Sequence, residues 1–199
     1  MTSVFQQLLL SEFRPYGSLT SKQLNLLEAH YKLLVQWNAR LNLTRISSVE
    51  EAVRLHYCES LFVGAKLPSG PLRIVDVGSG AGFPGIPIAV FRPECTVTLV
   101  ESHQRKSVFL REASRDLTNV IVTADRAENI AANYDWVVSR AVAPRDLLEL
   151  KLSTHLAFLG GTAELPGVGQ CYRIPWGIDR NLMFHVKPPF SSIQDPGHL

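Results

Sequence analysis

The chain has 199 residues, of which 46% are hydrophobic and 19% are charged, and its formal net charge is +2. A chain of this length can form one domain and bury about 70% of the surface that its unfolded form would expose. The small net charge excludes attraction of nucleic acid by an overall basic field and leaves only a local basic patch for that purpose. The modest charged fraction favours an α/β fold, in which several strands are buried on both faces.

The three cysteines show neither CxxC nor Cys/His metal spacing, so we expect buried thiols in a reducing compartment and no metal site. The N-terminus lacks the basic region of a signal peptide. No uncharged apolar stretch approaches the roughly 18 to 20 residues that span a bilayer. These features predict a cytoplasmic protein without a membrane partner, and we expect it to be a monomer.

Residues 1–70 are predicted to form a helical extension. Two capping boxes mark its helices, each with a hydroxyl residue followed three places later by Gln or Glu: Thr20 with Gln23, and Ser48 with Glu51. Apolar residues recur at helical spacing to about residue 37 after the first cap and to near Gly64 after the second. The Pro-Ser-Gly-Pro run at 68–71 then breaks the regular pattern and marks the boundary of the extension.

From residue 71 to 190, short β-rich runs alternate with helical stretches, which is the order of a parallel sheet. Strands are predicted at 72–77, 96–100, 120–123 and 134–139, then after a turn at Gly160-Gly161, and finally as an antiparallel pair at 172–174 and 182–186. Helices are predicted at 87–91, at 103–117 and from Pro144. The sequence therefore predicts an α/β, Rossmann-like fold with a mostly parallel seven-stranded sheet, helices on both faces and a loose tail at 191–199.

The most informative stretch is a buried strand that runs directly into a glycine cluster and then into a helix, Ile-Val-Asp-Val-Gly-Ser-Gly-Ala-Gly-Phe-Pro-Gly at 74–85. Glycine permits a positive φ and lets a ligand pack where a Cβ would collide. The following helix adds free amide groups and the positive end of its dipole. In an open parallel sheet such a site lies beyond the carboxyl ends of the strands. These features predict a ligand site centred on Gly78, Gly80 and Gly82.

Two cofactor classes use this layout, and Gly80, Gly82 and Gly85 alone satisfy the dinucleotide pattern G-x-G-x-x-G. Asp76 disfavours a dinucleotide, because a carboxylate at the strand end would repel a pyrophosphate in a partly dehydrated cleft. S-adenosylmethionine instead presents a sulfonium, an ammonium and ribose hydroxyls. Glu101, after the second predicted strand, can accept hydrogen bonds from both ribose hydroxyls. The sequence thus favours the methyl donor, with a glycine turn used only for helix packing as the remaining alternative.

At these residues the chain resembles the bacterial small-subunit ribosomal RNA guanine-N7 methyltransferases, the RsmG or GidB family, over about residues 30–160. The most specific motifs are the Gly-Phe-Pro-Gly-Ile-Pro extension at 82–87 and the Ser-Arg-Ala at 139–141. Further motifs of the resemblance are Trp37-Asn38, Asn42-Leu43-Thr44, His56, Glu59-Ser60, Arg105-Lys106, Phe109-Leu110 and Arg126-Ala127-Glu128. The resemblance implies a class I methyltransferase fold with S-adenosylmethionine as cofactor.

Five site residues follow from the resemblance. It implies that Gly78 and Phe83 contact the cofactor and that Ala127 and Glu128 border its adenine. It also implies that Arg140 lies beside the methyl donor. From the residues alone, Glu128 equally suits a solvated loop charge. The alternative for Arg140 is a surface salt bridge, but its position directly at a strand end above the cleft favours the site.

The resemblance implies that the substrate is a guanine N7 of 16S rRNA, within the small ribosomal subunit or an assembly intermediate. N7 carries an exposed lone pair, so its methylation requires alignment of donor and acceptor rather than a general base. We therefore assign no catalytic residue and regard His56 as structural. RNA contacts are expected from local cations, which also suit solvated helix faces: Arg45, Arg105, Lys106 and Arg145.

The chain departs from the family pattern after the strand that closes the core. Pro166 stands where the family has a lysine, and a longer excursion of the family is shortened here. RNA recognition is therefore indicated less firmly than donor binding. Two alternatives stay open: a noncatalytic RNA-binding protein that retains the donor pocket, and an NAD-dependent oxidoreductase that uses the G-x-G-x-x-G pattern.

Overall fold

A computed structural model describes residues 2–46, 48–131, 133–140, 142–160 and 169–186. Within these ranges seven strands form one sheet in the order β3-β2-β1-β4-β5-β7-β6. The strands are β1 (Arg73–Val77), β2 (Thr96–Val100), β3 (Val120–Thr123), β4 (Trp136–Ser139), β5 (His155–Gly160), β6 (Cys171–Arg173) and β7 (Asn181–Val186). Strands β1 to β5 are parallel, and β7 is antiparallel to both β5 and β6. The predicted mostly parallel sheet is confirmed.

The helices include those predicted from the two caps. They are α1 (Val4–Phe13), α2 (Ser21–Leu41), α3 (Val49–Ala52), α4 (Glu59–Lys66), α5 (Gly85–Phe91), α6 (Gln104–Ala113) and α7 (Pro144–Glu149). The Thr20 hydroxyl accepts from the Gln23 amide, and the Gln23 side chain accepts from the Thr20 amide, which completes the predicted capping box. A π-helical stretch, Val53–Cys58, joins α3 to α4 without a break.

The sequence prediction misses one strand and misplaces the end of one helix. Strand β5 ends at Gly160, where the sequence predicts a turn, and the strand predicted after Gly161 lies outside the described residues. The sequence does not predict β5, because a short run of consecutive buried apolar residues lacks the alternation that marks a half-buried strand. The helix predicted to reach Leu117 ends at Ala113, where the Ser114 hydroxyl donates to the Leu110 carbonyl. Pro166 and the tail at 191–199 lie outside the described residues.

Successive side chains of the central strands point into two different apolar layers. In β1, Val75 and Val77 join the layer that contains Leu147 of α7. Ile74 joins the other layer, which also contains buried side chains of α1, α2, α4, α5 and α6. Helices of the first 70 residues therefore share one core with the sheet and lie beside the edge at which the parallel strands end.

Helix α5 approaches the sheet so closely that only glycine fits at its first residue. A Cβ on Gly85 would lie 2.3 Å from Leu99 Cδ2 and 2.7 Å from Asp76 Oδ2. The Gly85 amide instead donates to Asp76 Oδ2 at 3.0 Å. This glycine therefore fixes the distance between the sheet and the end of the glycine loop.

We predict that Gly85→Ala lowers the free energy of unfolding by about 1–3 kcal/mol, because the added methyl overpacks a rigid contact. Gly64→Ala in α4 is the matched control, since its Cβ would meet nothing closer than Phe91 Cδ1 at 3.2 Å and alanine favours a helix. Urea denaturation of both variants measures the difference. A loss for Gly85→Ala no larger than that for Gly64→Ala would contradict the packing argument.

Candidate cofactor site

The loop between β1 and α5 has the backbone conformation that the glycines predict. Three of its residues have positive φ: Gly78 (74°), Gly80 (56°) and Gly82 (89°). Glycine adopts these angles without the penalty that a Cβ imposes. The Gly78 and Ser79 amides donate to the Val100 carbonyl at 3.0 and 3.1 Å. The loop is thereby fastened to the end of β2, at the carboxyl edge of the sheet.

Glu101, directly after β2, holds the loop from a second side. Its Oε2 accepts from the Gly80 amide at 3.0 Å, and its Oε1 accepts from the His103 amide at 2.8 Å. Each carboxylate oxygen has a second lone pair, so Glu101 can still accept hydrogen bonds from a ligand. The side chain is 8% exposed and lies on the walls of two adjoining cavities.

Asp76 lies beneath the loop rather than on a cavity wall. The alternation of β1 directs its side chain toward α5, where it is fully buried and accepts from the Gly85 amide. Burial raises the pKa of Asp76 to about 7, although the hydrogen bond from Gly85 opposes the shift. Asp76 therefore positions the end of the loop. Because its carboxyl is buried behind the loop, it is not placed to repel a bound pyrophosphate by direct contact.

One cavity, of about 670 Å³, extends from Gly78 toward the loops after β3 and β4. We call it the acidic cavity, because one cation and five carboxylates line it: Arg126, with Glu101, Asp125, Glu128, Asp146 and Glu149. Ala127 and Glu128 contribute to its wall from a short 3₁₀ turn at Ala127–Asn129. This balance of charges disfavours an anionic ligand and favours one that offers hydrogen-bond donors.

A second cavity, of about 390 Å³, lies on the other side of Gly78 and Glu101, which line both cavities. We call it the basic cavity, because it holds two cations and one carboxylate: Lys106 and Arg140, with Glu101. Its remaining wall is the glycine loop with Leu43, His56 and Phe83. A ligand that crosses Glu101 thus meets acidic groups at one end and cations at the other.

His56 connects the basic cavity to the N-terminal helices. Its Nδ1 lies 2.7 Å from Arg140 Nη1, and its Nε2 lies 2.8 Å from Thr44 Oγ1. Because a guanidinium only donates, Nδ1 must accept, and the ring is neutral with its proton on Nε2. Burial and the nearby Arg140 lower the pKa of His56 to about 3. Both ring nitrogens are engaged, so His56 has no free nitrogen for a general base.

Phe83 is almost fully buried and packs its ring against His56, with centroids 4.6 Å apart and planes 15° from parallel. Tyr57 contacts it edge-on at 5.1 Å. Phe83 therefore lines the basic cavity as a fixed wall.

Sequence reasoning missed His30, which supports the glycine loop from α2. Its Nε2–H donates to the Ala81 carbonyl at 3.0 Å, and the Tyr57 hydroxyl donates to its Nδ1 at 2.8 Å. Burial lowers the pKa of His30 to about 4, so the ring is neutral. Its only signal in the sequence is one polar residue on an apolar helical face, and its loop partner lies 51 residues away.

The structure brings most of the predicted cofactor residues to these two cavities. Gly78 and Glu101 line both; Ala127 and Glu128 line the acidic one; Gly80, Phe83 and Arg140 line the basic one. Asp76 and Gly82 are buried behind the loop. Of the predicted RNA-binding cations, Lys106 lines the basic cavity, whereas Arg45, Arg105 and Arg145 are exposed outside it.

Two broader features can be stated for the part of the chain that the structure describes. No helix there has the length and apolar character to cross a bilayer. No group of three His, Cys, Asp or Glu side chains in those ranges could hold a metal ion.

The strand order, with a glycine loop after β1 and an acidic residue after β2, defines the fold of the class I methyltransferases. A proposed RNA methyltransferase from Pyrococcus horikoshii has this fold with a TM-score of 0.54 at 14% identity, over 85% of this chain and 100% of its own. Magnesium protoporphyrin IX methyltransferase from Synechocystis, with bound SAH, gives 0.54 at 12% identity, over 80% and 100%. Residues 23–162 match the GidB family, rRNA small subunit methyltransferase G. The chain belongs to this family.

Several curated relatives are named ribosomal RNA small subunit methyltransferase G. That of Nitrosomonas europaea is 44% identical over 147 residues, which cover 71% of this chain and 64% of the relative. That of Desulforamulus reducens is 40% identical, over 65% of this chain and 58% of its own. That of Streptococcus agalactiae is 32% identical over 85% of both chains. The chain thus spans about 58 to 64% of the first two relatives and more of the third.

The buried carboxyl of Asp76 yields a prediction about pH. Its pKa is about 7 in the folded protein and 3.8 ordinarily, so the folded state binds the proton more tightly. This contribution to stability is present at low pH and is lost as pH rises from about 4 to about 7. We predict that the unfolding free energy of the wild type, relative to Asp76→Asn, falls across this range.

Asp135→Asn is the control, because the Arg73 amide keeps the pKa of Asp135 below its ordinary value and leaves it ionised over the same range. Urea unfolding at half-unit pH steps measures both differences. A difference for Asp76→Asn that stays constant with pH would contradict the assignment of a protonated buried carboxyl.

Proposed function

We propose that this chain binds S-adenosylmethionine and transfers its methyl group to N7 of a guanine in small-subunit ribosomal RNA. The observation that carries the proposal is the meeting of the acidic and basic cavities at Gly78 and Glu101. S-adenosylmethionine is hydrogen-bonding and uncharged at its adenosine end and zwitterionic at its amino-acid end, which matches these walls. Membership of the rRNA small subunit methyltransferase G family supports the choice of substrate.

The residues that line the two cavities suit this donor in one orientation, with its adenosine in the acidic cavity. Glu101 would accept from the ribose hydroxyls, as an acidic residue after the second strand does in related nucleotide sites. Ala127 and Glu128 would border the adenine in the acidic cavity. Arg140 would face the methionine carboxylate in the basic cavity. When bound, the donor supplies an electrophilic methyl group on a sulfonium.

The protein would contribute alignment rather than proton transfer. Guanine N7 already carries the lone pair that attacks, so no side chain needs to remove a proton. Holding the two reactants in line can supply roughly 7 to 11 kcal/mol of the barrier. The neutral, fully bonded His56 and the buried Phe83 form a rigid wall suited to this role. We therefore name no general base.

The RNA would approach the carboxyl edge of the sheet. Lys106 lies in the basic cavity, and Arg45, Arg105 and Arg145 are exposed cations in the loop after α2 and in the first turns of α6 and α7. A structured RNA must present the guanine unstacked, which suits a loop of the small subunit or of an assembly intermediate. We propose that the chain acts in the cytoplasm, and as a monomer.

The NAD-dependent alternative is disfavoured by the charge of the acidic cavity. A pyrophosphate beside Gly78 would face up to five carboxylates and one guanidinium. The noncatalytic alternative rests on Pro166, which lies outside the described residues. Methyl transfer to the RNA would exclude this noncatalytic alternative.

We expect the protein to transfer label from isotopically labelled S-adenosylmethionine to small ribosomal subunits that lack the modification, and the label to map to one guanine N7. Gly80→Val is the control that should abolish transfer, because valine is strained at a φ of 56° beside the Glu101 contact. Labelled protein with unlabelled RNA would refute the proposed substrate. A thermal shift with NAD and none with S-adenosylmethionine would favour the alternative of an NAD-dependent oxidoreductase.

A further inference from the structure

A buried carboxylate behind the basic cavity is shared by two arginines. Glu59 is fully buried, and its Oε2 lies 2.7 Å from Arg180 Nη2 and 3.8 Å from Arg140 Nη1. Glu59 begins α4, Arg140 follows β4 and Arg180 precedes β7. Three distant segments of the chain therefore meet at one negative charge, and only Arg140 continues to the cavity wall.

Arg140 is held by one edge of its guanidinium. Its Nη1 donates to the Leu55 carbonyl at 2.6 Å and to His56 Nδ1 at 2.7 Å. Both acceptors lie in the π-helical stretch between α3 and α4. Its Nε and Nη2 make no hydrogen bond to the residues that the structure describes, and the side chain is 18% exposed. Donors at the cavity wall thus remain for a ligand.

We propose that Glu59 and Arg180 are positioning residues, which orient Arg140 toward the carboxylate of the methyl donor. The inference rests on the proposed function, because it assumes that the donor's amino-acid end occupies the basic cavity. Glu59 supplies the countercharge that allows two arginines to lie close together. Arg180 donates to Oε2, the oxygen of Glu59 that also lies near Arg140. This bond keeps the carboxylate from drawing Arg140 out of the cavity.

The charges explain why both partners are needed. Burial raises the pKa of Glu59 to about 7, and the nearby Arg140 and Arg180 oppose the shift. In the ionised form of Glu59 the three side chains carry one net positive charge, which suits one ligand carboxylate. Without Glu59, two partly buried guanidinium groups would repel each other. Without Arg180, Glu59 would keep Arg140 as its remaining cationic neighbour, and a separation of 3.8 Å would shorten to a direct ion pair. Either change would move the Arg140 donors away from the ligand.

The test compares two ligands that differ only at the amino-acid end. S-adenosylhomocysteine carries the carboxylate, whereas 5′-methylthioadenosine lacks the whole amino-acid group. We expect Glu59→Gln and Arg180→Met to weaken S-adenosylhomocysteine binding about tenfold, the effect of losing one charge-assisted hydrogen bond. Binding of 5′-methylthioadenosine should change less than about twofold. Calorimetric titration of each full-length variant measures both affinities.

Arg180→Lys should restore most of the lost affinity, because it keeps the charge beside Glu59. Arg92→Met is the structural control. Arg92 is also largely buried and donates to the Gly64 carbonyl, but it lies near the amino-terminal ends of the parallel strands, away from both cavities. This substitution should leave the preference between the two ligands unchanged. An equal loss for both ligands, or no loss in Arg180→Met, would overturn the positioning role. A wild type that binds neither ligand would instead contradict the proposed function itself.

Discussion

The hydrogen bond from the Gly80 amide to Glu101 organises the site. It joins the loop after β1 to the end of β2, and it fixes the one carboxylate that both cavities share. Because Glu101 is also held by the His103 amide, its second lone pairs keep a fixed direction. The glycine loop, with its three residues at positive φ, is thereby fixed at the point where the two cavities meet.

The N-terminal helices form part of the site, because two of their side chains hold residues that line it. His30 on α2 holds the Ala81 carbonyl, and His56 in the π-helical stretch holds Arg140. Both imidazoles are neutral because burial lowers their pKa, so each has one donor and one acceptor nitrogen with fixed partners. The extension thereby contributes Leu43 and His56 to the wall of the basic cavity, whereas the sheet edge and its glycine loop contribute most of the remaining wall.

Much of this fold follows from local sequence. The capping box at Thr20, the N-cap at Ser48, the apolar strands and the need for glycine at positive φ are local properties that the structure has. At Ser48 the described contacts include only the bond from the Glu51 amide, so the predicted box there is half formed. The sequence does not show on which side of the loop Asp76 lies, because both faces of β1 are apolar and alternation alone does not reveal which face carries the ligand. The roles of His30 and Glu59 depend on partners 51 and 121 residues away, and no local pattern encodes such contacts.

We propose that the methyl donor lies across Glu101 with its adenosine in the acidic cavity and its amino-acid group in the basic one. A crystal structure of the protein with S-adenosylhomocysteine tests it most directly. We expect both ribose hydroxyls within hydrogen-bond distance of Glu101 and the ligand carboxylate beside Arg140. An empty crevice, or a ligand bound in the reverse direction, would contradict it.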